Sequence, residues 1–145
     1  MRKGGATLLV LVHFAVLIAH GGAHSHLHIG VGTWQKAFIA IIIFMAPLIG
    51  TVMLWTRLRK LGVILLGLSL AGSFVFGVSY HFLIAGSDNA LGPHYSHWGC
   101  AFRATSILLA LIEAAGFIWS IWILPADIRK RIDGDMRESE LESLC

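Results

Sequence analysis

Eight histidines stand in 145 residues, well above ordinary usage, and their placement is not scattered. The first group reads His20-Gly-Gly-Ala-His24-Ser-His26-Leu-His28; the second runs from Tyr80-His81 through Asp88 to His94-Tyr-Ser-His97-Trp98-Gly-Cys100. Neutral imidazole is the commonest side-chain ligand for borderline cations, so the chemistry these residue types suggest is transition-metal binding. In an extended segment His24, His26 and His28 share one face, whereas in a helix they fan out. His94 and His97, three apart, share a face if their stretch forms a helical turn. The candidate metal ligands are therefore His24, His26, His28, His94 and His97, with the Asp88 carboxylate and the Cys100 thiol in reserve. Copper or zinc suits such a set and nickel is admissible, while calcium or magnesium demands more oxygens than Asp88 offers.

His20 and His81 flank the two groups and allow a second cofactor. A membrane four-helix bundle can hold haem b between axial histidines on facing helices, and these two fall at similar depth near the ends of their helices. A different pair lies deeper. Glu113 interrupts Leu111-Ile112-Glu113-Ala114-Ala115, and His13 interrupts Val12-His13-Phe14. An ionised carboxylate inside hydrocarbon costs several kcal/mol, so Glu113 is expected to face the protein interior with a partner. In antiparallel helices His13 and Glu113 meet at one depth, as a hydrogen bond that sets register or as a proton or cation relay below an outer metal site.

These residues need elements to carry them, and the composition says which. The chain is 57% hydrophobic and 13% charged, with a mean hydropathy of +0.77. A soluble domain has roughly 25% charged residues, so this chain lacks the polar surface to face water all round. Four apolar stretches, at about residues 6–20, 37–55, 61–82 and 104–124, approach the ~20 residues that cross a bilayer. Backbone polar groups in hydrocarbon must be satisfied within the segment, so helices are expected, with a kink at Pro47 where a donor is missing. The predicted fold class is an all-α integral membrane bundle of four transmembrane helices, N-in and C-in, with two extracytoplasmic His-rich loops at about 21–36 and 83–103.

Orientation follows from the basic residues. Arg2, Lys3, Arg57, Arg59, Lys60, Arg129, Lys130, Arg131 and Arg137 fall on one side of the predicted topology, and Lys36 and Arg103 on the other. Short loops rich in Lys and Arg stay inside, so both termini are expected in the cytoplasm and the chain in the plasma (inner) membrane. Residues 1–124 form the predicted transmembrane domain and 125–145 a charged cytoplasmic tail, whose Arg129–Arg131 run suits lipid headgroups. An alternative treats residues 1–23 as a secretory signal peptide cleaved after Ala23, which leaves three spans.

Smaller features complete the expectation. Ser69, Ser73 and Gly77 recur at spacing four with His81 continuing the row, and Gly62, Gly67, Gly72 and Gly77 recur at spacing five. Small residues let helices approach closely, and a third helix packed on this face aims His81 inward. Trp34, Trp55, Trp98, Trp119 and Trp122 lie near span ends as an interfacial belt. Cys100 and Cys145 fall on opposite sides of the membrane and make no disulfide framework. The basic clusters flank apolar runs, a topology signal rather than a nucleic-acid footprint. No phosphate loop, Gly-x-Ser-x-Gly elbow, Cys-x-x-Cys pair or His-Glu-x-x-His run occurs, so turnover by the isolated chain is the least supported reading.

The function these residues point to is transition-metal binding through extracytoplasmic histidines, in metal handling or transport or as a metal-bearing subunit. The alternatives are a non-catalytic accessory subunit of a respiratory or transport complex, and a haem b electron carrier. Expected partners are the lipid bilayer and protein partners in a complex or homo-oligomer, with no nucleic acid.

Overall fold

A computed structural model describes residues 3–92 and 96–142, with side chains described as far as residue 123. It is all-helical. Four helices are long and apolar enough to cross a membrane: α1 (Lys3–His26), α2 (Thr33–Leu54), α3 (Arg59–Leu83) and the segment His97–Ile123 of α4 (His97–Glu142). The helices alternate in direction. One end of the bundle carries Lys3 and the Thr56–Leu58 turn; the other carries the histidine-bearing connections. At about 1.5 Å per residue, the 46 residues of α4 extend well past the ~30 Å of a hydrocarbon core, so the helix does not break where the tail turns polar.

Polar side chains are gathered inside the bundle, and many large apolar ones face out. His13, His20, Ser69, Ser73, His81, Ser106, Glu113 and Ser120 are buried, while Leu11, Ile18, Leu68, Val75, Leu111 and Trp122 are exposed. That distribution suits a hydrocarbon solvent, because lipid wets apolar side chains freely and a polar group there needs a partner inside the protein.

Two local departures from α-helix shape the molecule. Pro47 has no N–H to give, and the turn before it widens: Ile39–Met45 is a π segment, with the Ala46 N–H bonded to the Ile41 carbonyl. The missing donor is thus absorbed by a wide turn. A second π segment, Ser79–Leu83, ends α3 with Ile84 N–H on Ser79 O at 2.8 Å, and His81 sits within it.

α1 runs further than expected. The loop expected from about residue 21 begins later: the helix continues through Gly21 and Gly22 to His26, so of the two cases weighed for His24 and His26 the helical one holds. Each glycine costs about 1 kcal/mol in a helix interior. Burial of His20 and Ala23, the latter packed with Ile29, Ala90 and Phe102, offsets this. The helix stops in a Schellman motif. Ile29 N–H bonds His24 O at 3.1 Å, His28 N–H bonds Ser25 O at 3.3 Å, and His28 takes the left-handed position at φ 55°.

At the end that carries Lys3, small residues bring the helices together. A Cβ on Gly62 would meet the Gly50 carbonyl at 2.8 Å, and one on Gly67 would collide with the Ser120 side chain. Ala6, Val10, Leu54, Val63, Leu66 and Leu70 form the core there.

Candidate metal centre

Because α1 stays helical, His20 and His24 fall one turn apart on the same face, and His26 points elsewhere. The π segment of α3 brings His81 to that face. The result is a triad: His20, His24 and His81 each offer a ring nitrogen, all within 4.8 Å of one another. His20 Nε2 lies 3.2 Å from His81 Nε2. Phe102 of α4 backs the group, stacked on His20 at 5.1 Å and set edge-on to His24 and His81.

Oxygens stand against the Nδ1 atoms of two of the three rings, His20 and His81. The Thr105 hydroxyl lies 2.9 Å from His20 Nδ1 and 2.7 Å from Ala101 O, and its one hydrogen can go to either. His81 Nδ1–H donates to the Asp88 backbone carbonyl at 3.1 Å. His81 therefore carries a proton on Nδ1 and turns its Nε2 lone pair toward His20 Nε2, 3.2 Å away and within hydrogen-bond distance. Oxygens behind the ligating histidines, setting tautomer and orientation, are the usual second layer of a metal site.

Asp88 supplies the charge. Its Oδ1 lies 3.2 Å from His24 Nε2 and 3.1 Å from His81 Nδ1, yet is not aligned for a hydrogen bond with either ring. His24 Nδ1 is also buried without a hydrogen-bond partner. The loop carrying Asp88 is tied down by its neighbours. Ala90 N–H bonds His81 O at 2.8 Å, the Asn89 side chain bonds Ile84 O and Leu91 N–H, and Arg103 donates to Ala90 O at 2.8 Å and Gly92 O at 3.2 Å.

No family model, curated protein or solved structure matches this chain. Function must therefore be argued from the site itself.

The sequence-predicted ligands divide. His24 joins the triad. His26 stacks on Trp98 with ring centroids 3.8 Å apart, and His97 is also beside Trp98, at 5.1 Å. His28 is exposed, its Nδ1 on the His26 carbonyl at 3.2 Å, and His94 lies outside the described residues. Cys100 is exposed and free. His20 and His81, expected as flanking residues or haem ligands, stand at the centre of the cluster, and the reserve carboxylate Asp88 stands against it. Deeper in the bundle His13 Nε2 lies 3.1 Å from Glu113 Oε1, both residues buried.

Proposed function

We propose that this chain is a multi-pass membrane protein that binds a transition metal through His20, His24 and His81, with Asp88 as fourth ligand or charge partner. The observation that carries the reading is the pair of inward-facing Nε2 atoms 3.2 Å apart, each with its Nδ1 held from behind by an oxygen. Two nitrogens bound to one tetrahedral ion at ~2.0–2.1 Å stand ~3.3 Å apart, so little movement is needed to seat an ion. Three imidazoles and a carboxylate suit zinc or copper(II). The haem reading fits less well, since axial nitrogens on opposite sides of one iron stand about 4 Å apart and flank a macrocycle. Here the rings are closer and Phe102 lies against all three.

The excess of Lys and Arg at the other end orients this site away from the cytoplasm, with both termini inside and the plasma (inner) membrane as the setting. A role in metal handling, or as the metal-bearing subunit of a membrane complex, follows from a buried site open at one membrane face. Elemental analysis of detergent-purified protein tests it. At least one equivalent of zinc or copper is expected in the wild type and in His28→Ala, with one equivalent fewer in His20→Ala and in His81→Ala. Metal at background level in the wild type, or undiminished in both triad variants, overturns the reading.

A further inference from the structure

The triad is the upper end of a larger space. A cavity of about 480 Å³ runs from His20, His24, His81 and Asp88 down to Ser73, Gly77, Ser106 and Glu113. Helical spacing builds its walls. On α3 the residues are Ser73, Gly77 and His81, four apart; on α4 they are Ser106, Ala110 and Glu113; on α1 they are Leu17, Gly21 and His24, beside His20. α2 closes the fourth side with Ile39, Ile43 and Phe44.

The polar groups below the triad are acceptors. Ser73 gives its hydroxyl hydrogen to Ser69 O and Ser106 gives its own to Phe102 O, each at 2.8 Å, so both offer lone pairs. Glu113 takes His13 on Oε1, while Oε2 lies on the side of Gly77, 3.9 Å from where a Cβ on that glycine would stand. Among the described lining residues the one Lys or Arg is Lys36. Lone pairs and a carboxylate attract cations and repel anions. The volume is many times what one water needs, so an ion can enter with much of its hydration shell. Below Glu113 the space ends, because Gly116 meets Leu70 and Leu9 and the apolar core fills the rest.

We propose that Glu113 is a second, inner cation site, reached from the histidine triad through this cavity, so that the chain admits a divalent metal ion to the middle of the bundle. The proposal rests on the triad being a metal site and adds where the ion goes next. His13 positions the Glu113 carboxylate, and Gly77 keeps the passage open.

Titration of the full-length chain in detergent with Co²⁺, followed by absorption and calorimetry, tests it. Two equivalents are expected in the wild type. Glu113→Gln should bind one, with the affinity of the remaining site within about twofold of the wild type, and Glu113→Asp should restore the second more weakly. Gly77→Val, which alters no proposed ligand, should slow uptake of the second equivalent at least tenfold. Thermal melts of each variant report folding, and Glu113→Asp keeps the test alive if Glu113→Gln does not fold. One equivalent in the wild type, lost in His81→Ala, would leave the triad reading intact and overturn the inner site. Two equivalents in Glu113→Gln would overturn it as well. Two equivalents in His81→Ala with one in Glu113→Gln would instead keep the inner site and overturn the triad.

Discussion

The two ends of this bundle are built from the same helices and the same glycine spacing, and they come out opposite. Toward Lys3, Gly62 and Gly67 lie against Gly50 and Ser120 so closely that a methyl group has no room, and the interior is filled with Leu and Val. Toward the histidines, a Cβ on Gly77 of the same row would meet only Glu113 Oε2, at 3.9 Å, and the interior is a cavity edged with imidazoles, hydroxyls and a carboxylate. What differs is the neighbour. A glycine facing another helix's backbone draws two helices together, whereas one facing Glu113 preserves a gap. Helix contact in lipid comes from packing and hydrogen bonds rather than from escape from water, so a bundle can be dry and tight at one end and open at the other.

The contrast can be broken first at the tight end. Gly67→Ala is expected to cost about 1–3 kcal/mol by forcing α3 and α4 apart. In a detergent melt that amounts to several degrees, whereas Gly77→Ala should hold or raise stability by up to about 1 kcal/mol through better helix propensity. Equal losses from the two substitutions would erase the distinction. At the open end, Asp88→Asn removes the charge beside His24 and His81 and should weaken metal binding about 10–100-fold without lowering the melting temperature of the metal-free protein. Competition with a chelator of known affinity measures it.

Smaller effects sharpen the picture. Arg103→Ala releases the two carbonyls that fix the Asp88 loop, and about 1 kcal/mol of lost ordering corresponds to roughly fivefold in affinity. Because the residue touches no ligand ring, the change should appear in metal affinity more than in stability. Smallest of all, His28→Gly should leave metal content unchanged and stabilise α1 by up to about 1 kcal/mol, since glycine takes the left-handed position without strain. A drop in bound metal on that substitution would return His28 to the ligand set.

Hydropathy made the four long helices legible, and the spacing-four row on α3 pointed to an inward His81. The His13–Glu113 contact was legible too, because two polar residues isolated in apolar runs of opposite direction have few other places to turn. The triad was harder to see. Gly21-Gly22 reads locally as a helix end, and burial of His20 and Ala23 overrides that preference through contacts distant in sequence. The π turn that sets His81 has no composition signal of its own, and Asp88 reaches the rings by a loop held through Arg103, thirteen residues beyond Ala90. His24 belonged to both readings, with different companions in each.

The facing rings of His20 and His81 lie 61 residues apart along the chain. An ion gripping both would be a reversible cross-link, a non-covalent counterpart of a disulfide, closing a loop that contains all of α2. In an unfolded chain that closure carries an entropy penalty rising with the logarithm of loop length. In the bundle the ends already stand together, so the ion meets no such penalty. Its binding free energy therefore adds to the stability of the fold by about 2.7 kcal/mol when free ion stands at a hundred times its dissociation constant. Metal supply would then govern how long the protein persists as well as what it carries.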